Sequence, residues 1–151
     1  IVVGGPNRQD SVMNGLAELS EEVHIVAVHD GARPCVTSAL IVETIKTAKR
    51  VGSGVAAVKI SDTIKEADRN LVVDRTLDRT HLWAVQTPQT FKKDLLVEAL
   101  KKLKKSKTMV TDEASAMEQA GHKVHLVPSS LTNLKITFPE DIAVAAALLK
   151  V

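Results

Sequence analysis

Asp30 closes an almost continuously apolar run, Val23-His24-Ile25-Val26-Ala27-Val28, and belongs to the segment His29-Asp30-Gly31-Ala32-Arg33-Pro34. A carboxylate at the end of a buried strand can hold a hard cation such as Mg²⁺ through oxygen, and that ion can bridge phosphates. Gly31 and Ala32 let a ligand approach the backbone closely, and Arg33 offers a planar fork for phosphate. The plainer account is a loop before a helix with Asp30 as its cap. Upstream, Gly4-Gly5-Pro6-Asn7-Arg8-Gln9-Asp10-Ser11 has the form of a strand-to-helix turn. Free N–H groups at a helix start attract anions, and Ser11 can bond a ribose or a phosphate. Taken alone, a plain β-to-α turn explains those glycines more simply.

Other polar groups are candidates of the same kind. Thr63, Arg79 and Thr87 supply hydroxyl and guanidinium donors suited to a phosphate monoester, although each taken alone reads as an exposed strand residue. Lys135, just before a capped helix, can reach a transferring phosphoryl group or simply snorkel at the surface. Lys101, Lys102, Lys104, Lys105 and Lys107 form the solvated end of a helix, Cys35 is a small packed residue, and His24, His81, His122 and His125 lack metal-ligand spacing.

These groups need a frame, and the apolar spacing supplies an α/β one. Ile1 to Val3 is expected as a strand end, Gln9 to Leu19 as a helix, and Val23 to Val28 as a central parallel strand covered on both faces. Thr37 caps a helix bearing Ile41, Ile45 and Ala48 that ends near Gly52, and Val55 to Val58 is the next buried strand. Thr63–Glu66 and Leu71–Asp74 are too polar for a central sheet and form a hairpin arm about the turn Ala67-Asp68-Arg69-Asn70, within residues 61–80. Leu82–Val85 is a strand and Lys92–Lys104 a helix. Thr111 caps a shorter helix with Asp112 and Glu113 in its first turn. Lys123–Val127 and Lys135–Thr137 are strands, and Thr137-Phe138-Pro139-Glu140 is a capping box opening a last, Ala-rich helix. In an open parallel sheet ligands bind beyond the carboxyl ends of the strands, which is where Asp30 falls.

Composition narrows the function classes. The chain has 151 residues, suited to one domain, without repeats or linkers. Its net charge is +2, and Trp83, Phe91 and Phe138 are its only aromatics, a poor match to a dedicated nucleic-acid binder. One cysteine rules out an intrachain disulfide and suits a reducing, cytoplasmic setting. The longest apolar stretch, Ile142–Leu149, is too short to cross a bilayer.

The order of the motifs is more specific than any one of them. Gly4-Gly5-Pro6-Asn7-Arg8-Gln9-Asp10-Ser11-Val12, Val28-His29-Asp30-Gly31-Ala32-Arg33-Pro34 and Asp62-Thr63-Ile64-Lys65 resemble the 2-C-methyl-D-erythritol 4-phosphate cytidylyltransferases. The same resemblance runs through Asp78-Arg79-Thr80-His81-Leu82-Trp83, Gln86-Thr87-Pro88-Gln89, Thr111-Asp112-Glu113-Ala114-Ser115 and Asn133-Leu134-Lys135-Ile136-Thr137. It implies a Rossmann-like nucleotidyltransferase sheet, mostly parallel, that couples CTP to a sugar-alcohol phosphate and releases pyrophosphate. By that resemblance Asp30 binds Mg²⁺ and, with Gly4, Gly5, Arg8, Ser11 and Gly31, lines the nucleotide, Arg33 lies near the substrate and Lys135 near the reacting phosphates, with Asp30, Arg33 and Lys135 the catalytic set. Thr63, Arg79, Thr87 and Thr111 become the acceptor contacts, with Thr63 and Arg79 carried by the arm into the neighbour's site of a homodimer.

Departures from the family pattern set further expectations. The family's first strand and glycine-rich loop have no counterpart here, so residues 1–151 read as a partial nucleotidyltransferase domain, inactive alone, with an exposed apolar edge that favours aggregation or dimerisation. Pro6 stands where an acidic residue is common, and Leu134 where isoleucine is usual. Two alternatives compete: a ribitol 5-phosphate cytidylyltransferase, and a non-catalytic dimerisation or ligand-binding module. The joint presence of Asp30, Arg33, Arg79 and Lys135 argues against the module.

Overall fold

A computed structural model describes residues 1–106 and 108–150; Lys107, at the end of the lysine run, lies outside the described residues. Helix α1 (Arg8–Ala17) starts where the Asn7 side chain accepts from the Asp10 amide. Strand β1 (Ile25–Val28) leads through the Asp30 segment to α2 (Ser38–Val51), which Thr37 caps and Gly52 ends in the left-handed conformation. Strand β2 (Ser53–Lys59) follows, then the short strands β3 (Lys65–Ala67) and β4 (Val73–Thr76), the long β5 (Trp83–Lys92), α3 (Lys93–Ser106), α4 (Glu113–Gln119), β6 (Leu126–Pro128) and α5 (Pro139–Leu149).

The main sheet has the order β1-β5-β2-β6. β5 runs antiparallel to both β1 and β2, and β6 runs parallel to β2. Three strands therefore share one direction and β5 opposes them, so the expected mostly parallel sheet is mixed. The antiparallel member arises because the strand expected over Leu82–Val85 continues through Gln86-Thr87-Pro88-Gln89 and runs from Trp83 to Lys92. Pro88, which cannot donate to a ladder, stands where the β2–β5 register shifts between Val55 and Ala57. Among the described residues β1 pairs with β5 alone and so stands at the edge of the main sheet, and Ala27 on it is exposed, so the expected central, doubly covered strand is an edge strand. Ile1–Val3 forms no strand and is exposed, and Lys135–Thr137 is a loop tied to the Asp30 segment by one bond from the Ile136 amide to the Ala32 carbonyl, 2.8 Å.

Adjacent residues of β5 show the layering. Phe91 joins Leu16 of α1, Leu96 and Leu100 of α3, Met117 of α4, Val26 and Val55 in one buried cluster. Thr90 points to the other face and donates to the Thr44 hydroxyl of α2 at 2.9 Å. Helices α1, α3 and α4 thus cover one face and α2 the other, the layered arrangement that buries a sheet on both sides. Among the described residues β3 and β4 pair only with each other, as a hairpin with both strands exposed, joined by Lys65–Thr76 and Arg75–Glu66 side-chain bonds.

Two helix starts differ from expectation. Asp112, not Thr111, caps α4, accepting from the Ser115 amide at 2.9 Å. Phe138, not Thr137, is the N-cap of α5, and the carboxylate that reaches back is Asp141, accepting from the Thr137 and Phe138 amides. At α4 the neighbouring buried Gln89 also bonds the capping Asp112, whereas at α5 the local Asp141 carboxylate holds the helix start.

Candidate active site

At the carboxyl end of β1 a cleft of about 210 Å³ gathers Arg8, Asp30, Arg33, Thr87, Thr111 and Lys135 with Gln86, Gln89 and Asp112. A larger groove of about 450 Å³ lies beside Cys35, Leu40, Pro128 and Ser129, but Glu43 is the one charged side chain lining it. Convergent charge marks the smaller cleft as the candidate site.

Asp30 Oδ2 lies 3.2 Å from Arg33 Nε and 3.7 Å from Lys135 Nζ. Arg33 Nη1 also donates to the Asn133 carbonyl at 2.7 Å, so the guanidinium is held from both sides. Asn133, 3% exposed, donates through Nδ2 to Gln86 Oε1 and the Thr87 carbonyl, each at 2.9 Å, and so ties the Lys135 loop to β5. Thr87 Oγ1 accepts from the Asp30 amide at 3.0 Å.

The other wall is the start of α4. Gln89, 1% exposed, donates to Asp112 Oδ2 at 2.8 Å and accepts from the Ala114 amide at 2.9 Å. Burial, the largest influence on the Asp112 carboxyl, pushes its pKa up, but hydrogen bonds from Ser115 and Gln89 and the charge of Arg8 together hold it below the usual value. Arg8 reaches over to Glu113 in a two-pronged pair, Nη1–Oε1 2.5 Å and Nη2–Oε2 2.7 Å. The bond to Glu113 raises the Arg8 pKa against the opposing effect of burial.

The glycine turn is built on close contact. A Cβ at Gly5 would sit 2.3 Å from the Asp10 Cβ, so the turn excludes a side chain there. Ser11 Oγ accepts from the Gly5 amide at 3.0 Å and donates to the Asn7 carbonyl at 3.1 Å, which spends its proton within the turn. At Gly31, in contrast, a Cβ would meet nothing within 4 Å.

The family model for IspD, 2-C-methyl-D-erythritol 4-phosphate cytidylyltransferase, matches residues 1–151. The chain belongs to the IspD family. It is 47% identical over 150 residues to the 2-C-methyl-D-erythritol 4-phosphate cytidylyltransferase of Alkaliphilus oremlandii, covering 99% of this chain and 64% of that protein. The crystal structure of the Thermus thermophilus cytidylyltransferase matches with a TM-score of 0.90 at 34% identity, covering 98% of this chain and 71% of that one. The 4-diphosphocytidyl-2C-methyl-D-erythritol synthase of Anaerococcus prevotii matches with a TM-score of 0.88, also at 34% identity, covering 98% of this chain and 68% of that one. The chain thus spans just under two thirds of the length of the curated A. oremlandii relative.

Of the residues singled out for an IspD chain, Arg8, Asp30, Arg33, Thr87, Thr111 and Lys135 line one cleft. Gly4, Gly5 and Ser11 form the turn before α1, Gly31 adjoins Asp30, and Thr63 and Arg79 lie exposed beside the arm, outside the cleft lining. Arg79 is held by a bond to the Ser61 carbonyl. Sequence reasoning missed His29, Gln86, Gln89 and Asn133 as parts of the site, and read Glu113 only as a first-turn acid. The motif Gln86-Thr87-Pro88-Gln89 and the placing of polar amides in an otherwise buried strand were the available signals for Gln86 and Gln89.

The donor set also bears on a cation. Among the described residues no three His, Cys, Asp or Glu side chains cluster to hold a metal. Asp30 contributes Oδ2 to its two cationic neighbours, which leaves Oδ1 for one bond to a metal. A single carboxylate fits Mg²⁺, which takes most of its shell from phosphates and water. No described helix is long and apolar enough to cross a membrane.

Proposed function

We propose that this chain forms the acceptor side and part of the nucleotide side of a cytidylyltransferase joining CTP to 2-C-methyl-D-erythritol 4-phosphate. The observation that carries the reading is the meeting of Asp30, Arg33 and Lys135 within one small cleft that Thr87 and Thr111 also line. An oxygen of the acceptor phosphate forms a bond to the α-phosphorus of CTP. The bond from that phosphorus to the bridging oxygen breaks, and pyrophosphate leaves with the electron pair. Such a reaction needs alignment and charge neutralisation more than proton transfer. Arg33, braced by Asp30 and the Asn133 carbonyl, orients the acceptor phosphate, and Lys135 places a cation beside the transferring group. Asp30 would hold Mg²⁺ through its free Oδ1, and the ion would supply further charge neutralisation there.

The same reading makes the protein a cytoplasmic homodimer in which the arm delivers Thr63 and Arg79 to the partner's cleft. Exposed Leu71, Val72 and Val73 on the arm, in a two-stranded sheet apart from the main one, support it. The named relatives are methylerythritol phosphate enzymes, which favours that acceptor over ribitol 5-phosphate. The test is calorimetric titration of each acceptor into this chain. Binding of methylerythritol phosphate that is weakened in Lys135→Ala is the expected result; equal binding of ribitol 5-phosphate, or none of either, contradicts it.

A further inference from the structure

Thr87 Oγ1, which accepts the Asp30 amide, also lies 3.0 Å from Nδ1 of His29. The other ring nitrogen, Nε2, lies 3.3 Å from the carbonyl oxygen of Arg33. A carbonyl only accepts, so a neutral His29 making this bond carries its proton on Nε2 and a lone pair on Nδ1. The Thr87 hydroxyl proton fills that lone pair. A hydroxyl has one proton and two lone pairs, and here the proton and one lone pair are already committed. What remains to face the cleft is one lone pair, which accepts and cannot donate.

We propose that His29 is a positioning residue that sets the hydrogen-bond polarity of Thr87, so that Thr87 receives a ligand hydroxyl and not a phosphate oxygen. This rests on the reading above to the extent that the hydroxyl belongs to the sugar alcohol; the phosphate is then left to Arg33 and Lys135 with the Thr63 and Arg79 that the arm delivers. The arrangement selects for a polyol phosphate over phosphate alone, because an acceptor oxygen placed against the Thr87 lone pair finds no proton. The surroundings hold the ring in this role. Asp30 and Arg33 flank it on its own loop, Thr87 meets it from β5, and the groove it closes against α1 and β1 is lined otherwise by Val12, Gly15, Leu16, Leu19, Val26, Ala27 and Val28.

The test has two arms on the same ¹⁵N-labelled chain. Long-range proton–nitrogen spectra of the His29 ring should show the Nε2-protonated neutral form in the wild type, in Thr87→Ser and in Thr87→Val alike, because the Arg33 carbonyl and not Thr87 fixes the tautomer. An Nδ1-protonated or doubly protonated wild-type ring overturns the proposal. In the second arm, 2-C-methyl-D-erythritol 4-phosphate and inorganic phosphate are titrated into wild type and His29→Phe. The variant should lose about tenfold in preference for the polyol phosphate, the equivalent of one mismatched hydrogen bond, with phosphate binding held or improved. Equal loss of both ligands marks a merely structural role and overturns the assignment. A wild type that binds no polyol phosphate counts against the proposed function instead, and the ring spectra then decide the role of His29.

Discussion

Arg8 and Glu113, 105 positions apart in the chain, meet as a two-pronged ion pair in which Glu113 keeps 2% of its side-chain surface exposed and Arg8 43%. The pair joins the start of α1 to the start of α4 across one wall of the cleft. It commits one donor from each terminal nitrogen of Arg8 and leaves three of the five guanidinium N–H groups for other partners.

Removing Arg8 strands a buried carboxylate, which costs more than the half-exposed pair contributes. Arg8→Ala should therefore lose about 1–2 kcal/mol in urea unfolding, while adding Glu113→Gln restores part of that loss. Strictly additive effects would show that the two groups do not interact.

The glycines at 5 and 31 should separate folding from binding. A methyl at Gly5 collides with Asp10, so Gly5→Ala is expected to destabilise by about 1–3 kcal/mol. A methyl at Gly31 meets open space, so Gly31→Ala should change stability by less than about 0.5 kcal/mol. If the space beside Asp30 belongs to a ligand, CTP binding by Gly31→Ala falls on the order of tenfold all the same. Calorimetry on both variants, with thermal melts alongside, distinguishes the two roles.

Asp112 gives an acid dependence. Its carboxyl is held below its usual value in the fold, so its contribution is fully present above the unfolded value and is lost as pH falls through the lowered folded one. Stability measured by urea unfolding should decline on acidification below the ordinary aspartate range. Asp112→Asn, which still caps a helix, should show a shallower decline there. Identical slopes for the two proteins would remove Asp112 as a contributor.

The proposed dimer through the arm predicts that its exposed apolar residues set the state of association. Leu71→Ser with Val73→Ser should shift sedimentation toward the monomer without altering the unfolding of the buried cluster around Phe91. An unchanged dimer would place the interface elsewhere.

The elements that depend on near neighbours were legible from the sequence. The helical spacing of Val12 and Leu16, the Thr37 cap, the Gly52 stop and the polar hairpin turn each involve groups a few residues apart, and the structure contains them. The arrival of Asp30, Arg33 and Lys135 in one cleft was legible only through the ordered motifs, which the family resemblance turned into a site.

Tertiary structure decided the rest. The direction of β5 and the edge position of β1 follow from which strand pairs with which, a choice between registers that share the same apolar pattern. Asp112 over Thr111 as a cap was settled by Gln89, a buried side chain on a strand 23 positions earlier. Arg8 with Glu113, and His29 with Thr87, are hydrogen bonds between distant segments, and only packing of α1, β1, β5 and α4 around one core brings their atoms within reach. Propensity and capping act over a few residues and are written locally, whereas a site assembled from five segments exists only once burial of the apolar faces has fixed where each segment ends.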